Sequence, residues 1–156
     1  MNTSFYGGIE KDMGEIISGY YIEDDGSILN TKPFFEYLGF ADAPLRSNVE
    51  DLALLLKYIV SGDSTISKDV QARFFSEDDV VRLDESVEYG LGIFRENMNG
   101  NTVYHHGGLE PGYTTSNIFI EDTKTSITIF FNCGVNTQCE TESDKVVQTI
   151  LLNELK

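Results

Sequence analysis

This chain of 156 residues carries 26 acidic and 11 basic side chains, a formal charge of −15. Such a surface repels a phosphate backbone and an anionic membrane, which excludes sequence-independent nucleic-acid binding. An apolar share of 40% and an aromatic share of 12% argue against disorder and for one packed domain over residues 1–156.

The first forty-five residues are loosely patterned. Met1-Asn2-Thr3-Ser4-Phe5 has neither a basic region nor an apolar core, so no signal peptide is visible. No run reaches the roughly 18 apolar residues that a transmembrane segment needs. Gly19-Tyr20-Tyr21-Ile22-Glu23 reads as a short strand, and Asp24-Asp25-Gly26 supplies turn chemistry before Ser27-Ile28-Leu29 returns as its hairpin partner. The acidic turn opens like a calcium loop, but the later ligands and the closing glutamate are missing, so no metal is expected there. Pro33 and Pro44 bracket an irregular aromatic stretch with Phe34, Phe35, Tyr37 and Phe40, which packs over a core or lines a substrate.

Residues 47–87 form a helical segment. Ser47-Asn48-Val49-Glu50 is a capping box, and Leu52, Leu55, Leu56 and Ile59 follow as a buried stripe closed by Gly62. A second helix fits Ser67 to about Phe75, with Ser67 as cap and Val70 and Phe74 on one face.

From residue 88 to 156 the pattern is strands and then a helix. Tyr89 to Arg95 and Thr102 to His106 flank an Asn99-Gly100-Asn101 turn and predict a hairpin. Tyr113 to Glu121 alternates, with Ile118 and Ile120 opposed to Asn117 and Phe119. Ser126 to Cys133 is nearly continuously apolar, with Ile127, Ile129 and Phe131 on one face and Phe130 on the other, a strand to be covered on both sides. Thr141-Glu142-Ser143-Asp144 reads as the cap of a last helix, whose Val146, Val147, Ile150, Leu151 and Leu155 must lie against those strands. The expected fold class is therefore α+β: an antiparallel sheet packed by a C-terminal helix, with a small helical segment before it. Cys133 and Cys139 do not make a disulfide framework. They pair only if the turn between them brings their Cα atoms within about 7 Å, which the sequence does not favour, and it leaves their redox state open.

Chemistry concentrates in His105-His106-Gly107-Gly108-Leu109-Glu110-Pro111-Gly112-Tyr113, which holds both histidines and lies between two strands. A strand ending in His and then Gly presents a side-chain donor and backbone amides to one anionic group. The same pattern also describes a plain tight β-connection. Adjacent histidines on a strand diverge and do not share a metal. Gly90-Leu91-Gly92 lacks the third glycine of a dinucleotide loop, no Walker loop is present, and no cofactor is expected.

Tyr89-Gly90-Leu91-Gly92-Ile93 followed by His106-x-Gly108 and Pro111-Gly112-Tyr113 resembles the C-terminal region of the serine beta-lactamase and D-alanyl-D-alanine carboxypeptidase superfamily of penicillin-binding proteins. The likeness is to its class C-like and esterase-like branch, where a His-x-Gly box replaces Lys-Thr-Gly. Earlier segments agree in order: Met1 to Phe5, Gly19-Tyr20 with Asp25-Gly26, and Arg46 to Leu52. The resemblance implies a partial beta-lactamase-like transpeptidase fold. It implies that His106 bonds a substrate carboxylate or the base, that the Leu109 amide is one oxyanion donor beside the Gly108 of the box, and that Gly107, Pro111, Gly112 and Tyr113 line the substrate. Tyr113 serves equally as a core residue.

The family's Ser-x-x-Lys and Tyr-x-Asn motifs belong before the point where this sequence begins, and neither occurs within it. The expectation is thus a C-terminal fragment of a serine hydrolase of beta-lactams, D-Ala-D-Ala peptides or esters, inactive alone. Rival readings are a non-catalytic ligand- or protein-binding module, and half of a split enzyme completed by an N-terminal partner chain. The strand that normally pairs with the missing first strand would be bare, which favours self-association. Export is implied by the family and by no segment here.

Overall fold

The computed structural model describes residues 3–7, 10, 14–37, 45–62 and 66–156, so the expectations at Met1, Asn2, Phe40 and Pro44 fall outside it. In chain order the elements are β1 (Phe5–Tyr6), β2 (Tyr20–Ile22), β3 (Ile28–Asn30), α1 (Lys32–Tyr37), β4 (Leu45–Arg46), α2 (Val49–Ser61) and α3 (Lys68–Arg73). Then follow β5 (Val81–Arg82), β6 (Val87–Tyr89), β7 (Phe94–Met98), β8 (Asn101–Glu110), β9 (Tyr113–Ile120), β10 (Thr125–Phe131) and α4 (Thr137–Glu154).

The main sheet is antiparallel, in the order β10-β9-β8-β7-β6-β5. Its alternation sorts side chains to two covered faces. One carries Val103, Ile118, Ile120 and Ile127 against Leu151 and Leu155 of α4. The other carries Tyr104 and Phe119 against Leu56 of α2, with Ile59, Phe74 and Phe75 around them. Asn117, buried among these apolar groups, donates to the Leu52 carbonyl at 3.0 Å and accepts from the Thr128 hydroxyl at 2.7 Å, so α2 is tied to β9 and through it to β10. Among the described residues no helix is long and apolar enough to cross a membrane.

The β2–β3 hairpin forms around Asp24-Asp25-Gly26 as read, and β7–β8 turns at Asn99 and Gly100, whose φ values of 52° and 84° suit the tight turn that the strand twist demands. Ser67 caps α3 by accepting from the Val70 amide, and Gly62 closes α2.

Several boundaries differ from expectation. The α2 cap is Asn48, which accepts from the Asp51 amide at 2.7 Å, because the Ser47 hydroxyl is engaged with that of Ser4 at 2.7 Å. Residues 32–37 are helical rather than irregular. Asn30 accepts from the Lys32 amide, and Pro33 lies in the first turn, where its missing N–H has no intrahelical partner to lose. Helix α4 begins a turn before the Thr141 box, at Thr137, because Asn136 accepts from the amides of Gln138 and Cys139. Tyr89 to Arg95 is not one strand: the chain bends through Gly90 to Ile93, and β6 and β7 pair with each other.

The reading of the cysteines is also corrected. Cys133 and Cys139 form a disulfide, with Cα atoms 6.1 Å apart. The end of β10 and the first turn of α4 fold back on each other there, and no spacing rule reports such a bend.

Candidate functional site

Strand β8 has two unlike halves. Asn101 to His105 pairs with β7 on one side, and from Val103 the strand also pairs with β9 on the other. His106 to Glu110 continues along β9, from His106 opposite Asn117 to Glu110 opposite Tyr113, but β7 has already ended. The strand therefore does not stop at His106 as expected, and the connection to β9 shrinks to Pro111 and Gly112. His106, Gly107, Gly108 and Leu109 are exposed along this singly paired stretch. A Cβ on Gly108 would lie 2.8 Å from the Thr115 hydroxyl on the neighbouring strand, so the missing side chain lets both strands keep register.

His106 stands where the double pairing ends. Its Nδ1 lies 2.6 Å from the Gly107 carbonyl and its Nε2 3.4 Å from the Tyr89 hydroxyl. The Phe94 ring stacks 5.8 Å from it and Tyr89 packs against Phe94 at 4.4 Å. The register Tyr89–Phe94–His105 across β6, β7 and β8 brings these rings together. His105 turns inward instead, stacked on Phe94 at 5.1 Å with Nε2 3.5 Å from a Glu96 carboxylate oxygen. Burial holds the His105 imidazole below its ordinary value of 6.5, although Glu96 opposes this. No group of three metal-binding side chains occurs among the described residues.

A cavity of about 210 Å³ lies between the sheet and α4, lined by His105, His106, Gly107, Thr114, Ser116 and Asp144 among others. It borders the exposed edge from below.

The far end of the edge is held by the N-terminal segment. Gly112 takes φ of 89°, and a Cβ there would meet the Thr31 hydroxyl at 2.2 Å. Tyr113 is half-buried: its hydroxyl donates to the Ile17 carbonyl at 2.8 Å and its ring meets Phe35 edge-on at 5.3 Å. Burial raises the Tyr113 phenol, which keeps it protonated as that donor. Arg46 donates to the Phe35 carbonyl at 3.1 Å and lies over the Phe35 ring, where its charge acts on Glu110 and Tyr113. Pro111 is exposed at the turn itself.

Two segments that resembled the family separately meet in space. The buried Asp51 carboxylate accepts from the Thr3 amide, the Thr3 hydroxyl and the Ser4 hydroxyl at 2.9–3.2 Å, while β1 pairs with β4. In sequence Tyr89 was visible as the first residue of a family motif and Phe94 only as a strand residue, and neither was read as a neighbour of His106. Their place beside His106 follows from the strand register, which the break at Gly90 to Ile93 conceals. Arg46 gave no signal beyond its motif.

Residues 9–150 match the family described as Beta-lactamase. No curated protein matches the sequence at a significant level. Among solved structures, a penicillin-binding protein from Bacillus halodurans superposes with TM-score 0.68 at 16% identity, over 92% of this chain and 44% of that one. A D-stereospecific amidohydrolase from Streptomyces sp. gives 0.66 at 19% identity, over 87% and 41%. The octameric penicillin-binding protein homologue from Pyrococcus abyssi gives 0.67 at 26% identity, over 85% and 30%. The chain thus spans less than half the length of each of these structures.

Proposed function

Because this chain belongs to the beta-lactamase family and has its serine hydrolase fold, we propose that it supplies the substrate-anchoring and oxyanion edge of such a hydrolase. The substrate class is a beta-lactam, a D-Ala-D-Ala peptide or a small ester, cleaved through an acyl-serine. The supporting observation is the singly paired half of β8, where His106 to Leu109 is exposed beside a ring cluster and a cavity. In this reading His106 bonds the substrate carboxylate or the catalytic base. Gly107 and Gly108 let the substrate backbone lie close, and the Leu109 amide donates to the developing oxyanion. Pro111, Gly112 and Tyr113 bound the far end.

The nucleophile is supplied by residues outside these 156. An acyl-enzyme needs a serine activated by a neighbouring base, and the sequence contains neither Ser-x-x-Lys nor Tyr-x-Asn. The isolated chain is therefore expected to take no label from a fluorescent penicillin that survives denaturation. Mixing it with a segment that carries both motifs should restore a stoichiometric label, and His106→Ala should lower it at least tenfold. A label on any serine of the isolated chain would end this reading, and failure to label with every complementary segment would favour a non-catalytic binding module.

The edge of β10 away from β9 carries no strand among the described residues. That supports its pairing with another segment, either the nucleophile-bearing part or a second copy.

A further inference from the structure

We infer that Tyr89 is a positioning residue for His106, whose hydroxyl holds the imidazole in its Nδ1–H tautomer and thereby sets which hydrogen-bonding partner the exposed edge accepts. This rests on the reading that His106 faces a ligand. A carbonyl oxygen only accepts, so the 2.6 Å contact with the Gly107 carbonyl requires the proton on Nδ1. In the neutral ring Nε2 then carries a lone pair, and the Tyr89 hydroxyl 3.4 Å away is the donor that meets it. Which nitrogen of a histidine bears the proton is set by the bond that the other one makes. Here both bonds choose the same form, and that form is opposite to the Nε2–H preference of a free imidazole.

Tyr89 is well fixed for the task. It pairs with Phe94 across β6 and β7, its ring lies 4.4 Å from the Phe94 ring, and Phe94 in turn stacks on both histidines. The phenol is thus delivered to the point where β8 loses its second neighbour. The consequence is a selection rule. Neutral His106 presents an acceptor, so a ligand hydroxyl or amide N–H replaces the Tyr89 hydroxyl on Nε2. A carboxylate is met only by the imidazolium, whose Nε2 has gained a proton.

The test is the nitrogen spectrum of the purified, ¹⁵N-labelled chain at alkaline pH, using long-range proton–nitrogen correlations of the two histidines. His106 should show a protonated Nδ1 and a bare Nε2. In Tyr89→Phe the Nδ1–H share of His106 should fall without vanishing, since the Gly107 carbonyl still accepts from Nδ1, while the thermal midpoint and the His105 pattern stay unchanged. A protonated Nε2 in the natural chain, or an unchanged His106 pattern in a folded Tyr89→Phe, would overturn the assignment. If the variant does not fold, the spectrum of the natural chain decides alone. Because the readout is a nitrogen and not acyl transfer, it stands or falls separately from penicillin labelling.

Discussion

At the scale of single residues, the two adjacent histidines have been given opposite work by their surroundings. His106 is exposed at a strand edge, whereas His105 is turned inward against Phe94 and Glu96. Burial lowers the His105 imidazole from 6.5, and this shift has a sign that can be measured. The unfolded chain takes up a proton near that ordinary value, while the folded chain resists until lower pH, so between the two the unfolded form binds more protons. The contribution of neutral His105 is complete above about 6.5 and is lost as pH falls through the folded value. Glu88 is held below its ordinary 4.5 by Arg95 and Arg82, so its contribution disappears only further down. Urea midpoints should thus begin to fall below pH 6.5, before the carboxylates titrate, and His105→Gln should flatten that first limb while leaving the acid limb in place.

At the scale of elements, the regular parts of the fold were legible in the sequence because alternation and helical spacing are imposed by covered faces. Ile118 and Ile120 lie on one side and Phe119 on the other, as their pattern required. What escaped was decided by distant partners. Ser47 lost its capping role to a bond with Ser4, and the start of α4 was decided by Asn136 together with the Cys133–Cys139 bridge. The exposed half of β8 was legible as a glycine-rich stretch beside a histidine, yet its extent depends on where β7 ends, which no local pattern encodes. The bridge closes a short loop, so the chain-entropy estimate of its stabilisation is modest, roughly 2 kcal/mol. The Cys133→Ser, Cys139→Ser double variant should lose about that much in urea unfolding. The loss should be matched by faster amide exchange in the first turn of α4, where the Asn136 cap alone remains.

At the scale of the whole molecule, the sheet is finished on one side and open on the other. Short β5 and β6 taper one border, whereas β10 presents seven residues with no strand beyond it among those described. A long edge of unpaired amides and carbonyls templates another strand. Sedimentation at high micromolar concentration should therefore show self-association, suppressed by a Ser126→Pro substitution that removes an outward-facing backbone donor, since Ser126 alternates with the residues whose amides bond β9; a monomer at every concentration would refute pairing through this edge.

The N-terminal hairpin has a consequence for how the molecule tolerates cutting. Gly19 and Tyr20 lie against Gly112, Tyr20 donates its amide to the Asn132 carbonyl, and Gly134 accepts from Gly112. Three stretches far apart in the chain thus meet like the stones of an arch behind the tip of the β8–β9 ribbon. The six strands would outlast the loss of that keystone, since both of their hydrophobic layers lie elsewhere, but the ribbon's tip would be left swinging. In the proposed reading, the shape of this edge depends on Gly19, Tyr20 and Thr31 as much as on His106.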